Sequence, residues 1–330
     1  MKNVIISILA VCMIVISSCD KLDPPAIPLP YGIYTEKENY VAFTGAKLTG
    51  AIIGEETKGL SFGFYYGTEK DNLQKFASGT LQVDKTIAHD YLIKAELSGL
   101  ESGKRYFYQA AVINNKKEEM RGEVYDFITF TEGPVDFGLP SGIKWAACNL
   151  GAEIPSDAGG YYSWGETEQK NYYDWTTYKY CENGDYRDMT KYIGHTDNYN
   201  KKKADGLVTL EASDDAAHVV LKGNWRMPES GEVSELFQYC DVTQVKINGT
   251  YGYKVISKKT MDEENFIFIP GYGFKRDGNI YSGINACFWT STLVQYYSYQ
   301  AYVGDLSSGG YSSVINVSRQ LGFAIRPVCK

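Results

Sequence analysis

The chain opens with an apolar run over residues 4–16, broken only by Ser7 and preceded by Lys2. After residue 33 the pattern changes to short segments in which apolar and polar positions alternate. These lie at 40–48, 60–66, 91–97, 105–113 and 123–130, and Gly67, Asn72, Gly99, Gly103, Asn114-Asn115 and Gly122 punctuate them. Period-2 alternation between turn residues predicts half-buried strands, and this spacing over about 100 residues predicts a β-sandwich at residues 34–131. Beyond it the signals mix. Residues 266–269 and 323–325 read as buried strands ended by Pro270 and Pro327. Residues 214–221 read as a short helix with acids in its first turn. A second helix follows Pro228, with Ser230 as its cap and Val233, Leu236, Phe237 and Cys240 on one face. Residues 134–330 are therefore expected to be α+β, two short helices against a twisted sheet with long loops.

The leader fixes an expected compartment. Thirteen positions are too few to span a bilayer, which takes about 20 helical residues, and small residues Ser17-Ser18 precede Cys19, as in an export signal. The run Ile16-Ser17-Ser18-Cys19 resembles the bacterial lipobox. That resemblance implies a signal peptide at 1–18, acylation of Cys19, and a membrane partner reached through lipid alone. Pro24, Pro25, Pro28 and Pro30 make residues 19–33 an expected semi-rigid stalk. Asp20 and Asp23 loosely resemble the surface-export signal of Bacteroides-group lipoproteins. The expected location is the outer membrane, facing the cell surface or, alternatively, the periplasm.

Composition narrows the function. The 330 residues carry 33 Lys+Arg against 40 Asp+Glu, a net charge of −7, which leaves no electrostatic footprint for nucleic acid. Three scattered histidines argue against a His-ligated metal site, and no metal or cofactor is expected. All five tryptophans follow residue 140, which puts a boundary near 131–134.

Two stretches resemble known families. Residues 97–108, from Leu97-Ser98-Gly99-Leu100 to Arg105-Tyr106-Phe107-Tyr108, resemble the strand E to strand F corner of fibronectin type III domains. There a tyrosine hydroxyl, here that of Tyr106, bonds back to backbone just upstream. From Val135-Asp136-Phe137-Gly138-Leu139-Pro140 onward, seven blocks in register resemble the major paralogous domain of Bacteroides-group lipoproteins. Among them are Tyr161-Tyr162-Ser163-Trp164-Gly165-Glu166-Thr167, Trp225-Arg226-Met227-Pro228, Phe288-Trp289-Thr290-Ser291-Thr292 and Gly322-Phe323-Ala324-Ile325-Arg326-Pro327. That family implies a C-type-lectin-like fold, shared with formylglycine-generating enzymes. It also implies neighbouring first and last strands, hence Cys148–Cys329 as the preferred disulfide.

Fold does not carry function. The cysteine pair that formylglycine-generating relatives use for copper has no close counterpart here, and the calcium signatures Glu-Pro-Asn, Gln-Pro-Asp and Trp-Asn-Asp do not occur. Acidic pairs at helix starts are caps or ion-pair partners. An enzyme is therefore not expected. The 28 tyrosines point elsewhere. Tyrosine offers a rigid amphipathic surface at small entropic cost, and recognition loops combine it with Ser, Gly and Asn. Residues 161–199 and 278–313 have that composition. The expected ligand contacts are Tyr281, Asn285, Trp289, Tyr296, Tyr297, Tyr299 and Tyr302, and the ligand a glycan or a protein. A structural subunit or tip of a surface assembly is the alternative, favoured if apolar surface is left exposed around Phe288-Trp289.

Overall fold

The computed structural model describes residues 24–330 except 38, 55–57, 85–89, 196 and 198. The expected signal peptide and Cys19 lie outside the described residues.

Alternation builds the first unit. Its strands are β1 (Gly32–Thr35), β2 (Tyr40–Val41), β3 (Gly45–Ile53), β4 (Ser61–Gly67), β5 (Lys75–Ser78), β6 (Thr80–Val83), β7 (Tyr91–Ser98), β8 (Arg105–Ile113), β9 (Glu119–Arg121) and β10 (Tyr125–Ile128). They form two antiparallel sheets, one ordered β1-β3-β7-β6 with β2 on β3, the other β10-β8-β4-β5 with β9 on β8. In β7 the side chains of Ile93, Ala95 and Leu97 point inward while Lys94, Glu96 and Ser98 face water. Leu48 and Ile52 of the same sheet meet Phe64, Tyr108 and Val112 of the other in the core, each large aliphatic or Phe side chain contributing about 1.5–3 kcal/mol on burial. At the corner before β8, the Glu101 N–H donates to Tyr106 Oη at 3.0 Å.

Two expectations need correction here. The segment at 40–48 is a hairpin, since Ala42 N–H bonds Gly45 O at 2.9 Å and splits β2 from β3. The proline-rich segment is no free stalk from residue 25 onward. The Ile27 N–H donates to Asn115 Oδ1 (2.8 Å), Asn114 Nδ2 donates to Ile27 O (3.0 Å) and Asn115 Nδ2 donates to Pro25 O (2.9 Å). Leu29 packs on the sandwich core and β1 begins at Gly32. Strands β5, β6 and β9 are short and largely exposed, so they lack the alternation that would announce them.

After Pro134 come β11 (Pro134–Val135), β12 (Lys144–Ala146), α1 (Ala216–Leu221), α2 (Ser230–Tyr239), β13 (Cys240–Ile247), β14 (Thr250–Ser257), β15 (Phe266–Pro270), β16 (Phe274–Arg276), β17 (Asn279–Tyr281), β18 (Ala286–Leu293), β19 (Gln300–Ser307), β20 (Tyr311–Ser318) and β21 (Val328–Cys329). Both helices form, α1 starting at Ala216 rather than at the expected 214 because Asp214 closes a preceding 3-10 turn, but strands dominate this half as well. Asp215 caps α1 by accepting from the His218 N–H at 3.0 Å. Helix α2 is capped by Glu229, one residue before the expected Ser230, because Glu232 at its third position closes a reciprocal capping box.

The small sheet β13-β14-β15 has two apolar faces. Tyr253, Val255, Ile267 and Ile269 pack with Val233 and Leu236 of α2. Val245, Ile247, Ile256, Phe266 and Phe268 pack instead with Phe43, Ile128 and Phe130 of the first unit. The Asn248-Gly249 turn between β13 and β14 has positive φ at both residues (53° and 78°), the requirement of a type I′ hairpin. Its Asn248 side chain clips the junction: Oδ1 accepts the Val41 N–H at 2.7 Å, and Nδ2 donates to Val41 O at 2.8 Å.

Candidate ligand-binding surface

The tyrosine-rich stretch at 161–199 divides by burial. Tyr161, Tyr162, Tyr173, Tyr178, Tyr180 and Tyr192 are buried. Some of their hydroxyls bond irregular backbone: Tyr173 Oη donates to Tyr161 O at 2.6 Å and Tyr178 Oη to Trp164 O at 2.7 Å. Burial pushes the phenols of Tyr161 and Tyr192 up to about 12. Two tryptophans tie the blocks together, Trp164 Nε1 donating to Thr290 O (2.8 Å) and Trp289 Nε1 to Tyr162 O (2.7 Å).

Arg319 stands at the centre of this set. Its guanidinium is fully buried, lies 4.7 Å from the Trp164 ring and 5.2 Å from the Tyr178 ring, and donates to Tyr178 Oη (2.8 Å), Ser298 O (2.6 Å) and Tyr192 O (3.2 Å). Asp214, also buried, accepts from Tyr192 Oη at 2.7 Å and pairs with Lys191 (2.6 Å) and Lys179 (3.1 Å). Burial pushes its carboxyl up, but hydrogen bonds from Lys191, Tyr180, Tyr192 and Lys179 outweigh this and hold it below the usual carboxylate range. No short motif surrounds Arg319 in the sequence, and its role was not legible there. Arg326 is a second fully buried arginine. It donates to Asn149 Oδ1 (2.9 Å), Ala147 O (2.6 Å) and Phe268 O (2.8 Å), and burial lowers it to about 10. Arg226 pairs with Glu232 at 2.5 Å.

The remaining tyrosines of 161–199 meet the second tyrosine-rich stretch at the surface. Tyr186 packs edge-on against Tyr299 with centroids 4.9 Å apart. Tyr199 lies 5.7 Å from Tyr297 at an interplanar angle of 32°, and Tyr297 is 5.8 Å from Tyr299. Trp175 extends the row, 6.5 Å from Tyr186. Tyr186 (43%), Tyr199 (61%), Tyr297 (40%) and neighbouring Tyr296 (65%) keep large exposed areas, so their rings are free to meet a ligand. Polar groups surround them. Asp197 holds the 296–299 loop by accepting the Ser298 N–H at 2.7 Å, and Arg187, paired with Asp185 at 3.0 Å, sits 5.7 Å from the Tyr186 ring.

Tyr281 and Asn285 lie apart from these ring contacts, in a groove of about 570 Å³ between the β16–β17 hairpin and the β18–β20 sheet. Tyr281 stacks on Phe274 (5.2 Å, 11°), which stacks on Phe323 (5.3 Å). Cys287 lines the same groove and donates to Asp305 Oδ1 at 3.0 Å. Tyr302, half-buried on β19 opposite Asn316, makes no ring contact with the exposed tyrosines. Trp289 is no ligand contact: it is fully buried, edge-on to Phe323 at 5.0 Å. Phe288 is buried beside it, so this segment leaves no apolar surface of its own.

The expected disulfide fails on register. First and last strands are neighbours, but β12 pairs with β21 so that Lys144 faces Cys329. The ladder runs on through Ala146 to Pro327 and Leu150 to Ile325. Cys148 is thus displaced from Cys329 by roughly 13 Å along the strands, beyond the ~7 Å limit between bridged Cα atoms. Both thiols are free, as are Cys181, Cys240 and Cys287. Among the described residues, no three His, Cys, Asp or Glu side chains converge as metal ligands would, and no helix is long and apolar enough to cross a membrane.

No protein-family model matches the chain, and no curated protein matches it. Among solved structures, the sensor domain of the anti-sigma factor RsgI4 of Pseudobacteroides cellulosolvens shares 18% identity, covering 31% of this chain and 97% of that one at a TM-score of 0.24. A likeness that weak carries no argument about function.

Proposed function

We propose that the chain is a lipid-anchored envelope protein that binds a glycan or a protein, without chemistry, through the tyrosine patch of its C-terminal half. In this reading Cys19 carries the lipid, a fibronectin type III-like sandwich follows, and a major paralogous, C-type-lectin-like head presents the site at the outer membrane. The contact from the Glu101 N–H to Tyr106 Oη and the adjacency of the first and last strands of the head support these assignments. One observation carries the binding role: exposed Tyr186 and Tyr199 join exposed Tyr297 and half-buried Tyr299, from a distant part of the sequence, in one aromatic row at the surface. Core packing does not require these rings to be exposed, and such rings stack on sugar faces or anchor protein contacts.

The test is a double substitution, Tyr199→Ala with Tyr297→Ala, in the soluble protein lacking its leader. It is screened beside the parent on arrays of glycans and extracellular proteins. The ligand retained by the parent is expected to bind the variant at least about ten-fold more weakly, the loss of two aromatic contacts. The melting temperature should be unchanged, since both rings are exposed. Undiminished binding moves the site away from the patch, with the Tyr281–Asn285 groove next in line.

A further inference from the structure

The groove beside the β16–β17 hairpin holds a charge that the packing around it does not explain. Its floor is one face of the β18–β20 sheet, where the register sets Cys287 opposite Asp305 and Val303 opposite Ile315. Its wall is the stack of Tyr281 on Phe274 and of Phe274 on Phe323, with centroids 5.2 and 5.3 Å apart. Tyr281, Ile284 and Ile315 line it and still expose large apolar areas to water.

Asp305 is the only charged side chain in that lining, and the only one in the sequence between Asp277 and Arg319. It stands half-buried on the middle strand of the sheet. The Cys287 thiol donates to its Oδ1 at 3.0 Å. Among the described residues it has no ion-pair partner, and its Oδ2 accepts no hydrogen bond. The two cations of the neighbouring hairpin are engaged elsewhere. The Lys275 amine lies 4.9 Å from the centroid of the Tyr161 ring, and Arg276 pairs with Asp277 at 3.3 Å. The titratable neighbours of Asp305 show the same imbalance. Burial pushes the Cys287 thiol and the Tyr253 phenol up, Asp305 pushes both further, and no cation offsets it at either group. A carboxylate set among apolar walls is costly unless a cation or hydrogen-bond donors meet it.

We infer that this groove binds a small organic cation, a primary ammonium that donates to Asp305 Oδ2 while its apolar body lies against Tyr281, Phe274 and Ile315. Aromatic walls and a carboxylate both attract an ammonium, the first through the ring quadrupole and the second through a charge-assisted hydrogen bond. The volume of about 570 Å³ is that of a small-molecule site. A metal ion fits less well, since among the described residues no third His, Cys, Asp or Glu joins Cys287 and Asp305. The inference is independent of the tyrosine patch, because Tyr186, Tyr199, Tyr297 and Tyr299 do not line the groove.

The test uses the soluble protein lacking its leader, with 2-phenylethylamine titrated by calorimetry at neutral pH and 3-phenylpropionate as the matched anion. The amine is expected to saturate one site below about 1 mM, and the anion to bind at least about ten-fold more weakly. Asp305→Asn keeps the shape and removes the charge, and should weaken amine binding by about ten-fold or more. Tyr281→Ala, at an exposed ring, should weaken it by about three-fold or more without lowering the melting temperature. Tyr199→Ala with Tyr297→Ala should bind the amine as the parent does, so failure at the patch and failure in the groove are separate results. Absence of saturable binding up to about 1 mM overturns the inference. So does equal affinity for the anion, or an Asp305→Asn variant that binds as tightly as the parent. Should that variant not fold, unchanged affinity in Tyr281→Ala overturns it instead.

Discussion

The sandwich of β1–β10 and the half that follows Pro134 both enclose apolar cores, but they satisfy their backbones by different means. In the sandwich, ladders do nearly all of it: β3 pairs with β7 over eight consecutive positions and β4 with β8 over seven. In the C-terminal half no regular strand or helix stands between Ala146 and Ala212 among the described residues. There the carbonyls and amides find side chains instead. Asp205 alone accepts the N–H groups of Tyr192 (2.7 Å), Ile193 (2.9 Å) and Leu207 (2.9 Å). Trp164, Trp289, Arg319 and Arg326 serve the same purpose from four other directions. A ladder spreads its order over many replaceable residues, whereas a loop pinned by single buried polar groups concentrates it.

The strongest way to break this contrast is Arg319→Met. The substitution keeps the stem volume but removes the donor to Tyr178 Oη, Tyr192 O and Ser298 O, all inside the core. Buried acceptors left without donors cost about 1–3 kcal/mol each, and not all can be reached by water. The expected loss is about 3–5 kcal/mol, read as a large drop in the denaturant midpoint of the whole soluble protein. A loss below about 1 kcal/mol would show that the aromatic packing around Trp164 and Tyr178 holds the loops without the guanidinium.

The same contrast decides what could be read from the sequence. Strands β7 and β8 were legible because one-sided burial writes a period of two into Ile93-Lys94-Ala95-Glu96-Leu97 and its neighbours. Helix α2 was legible from its cap to within one residue, whereas α1 starts two residues later than its acids suggested, because Asp215 caps it from outside. Strands β5 and β6 were not, since edge strands with exposed side chains carry no such period. The tyrosine stretches were visible as composition, but which rings face water depends on Arg319 and Asp214, whose importance lies in long-range contacts. For the same reason Trp289 read as a ligand contact and proved to be core: a tryptophan in a Ser/Thr-rich strand carries no local mark of the face it occupies. Cys148 and Cys329 failed differently, through a register that strand adjacency alone does not fix.

A smaller effect is expected at the junction, where one side chain substitutes for a missing strand. Asn248→Ala removes both contacts to Val41 and disfavours the positive φ that the hairpin turn requires. The expected cost is about 1–3 kcal/mol. Hydrogen exchange should place it: faster exchange at the Val41 amide and in the β13–β14 hairpin, with the inner sandwich strands β3, β7 and β8 unchanged. Uniform acceleration throughout would mean that the two halves unfold as one cooperative unit, and that Asn248 reports on global stability rather than on docking.

The smallest effect tests the ladder-built side of the contrast. Tyr106→Phe deletes a single hydroxyl, the acceptor for the Glu101 N–H, and leaves the ring stacked on Phe127 at 5.8 Å. Glu101 is exposed, so water can replace the lost partner, and the expected cost is about 0.5–1.5 kcal/mol by equilibrium unfolding. The corner lies between β7 and β8, whose own pairings to β3 and β4 stay intact. If Tyr106→Phe proved as damaging as Arg319→Met, ladder order would not be protecting this region. The corner would then be a pinned loop of the same kind as those beyond Pro134.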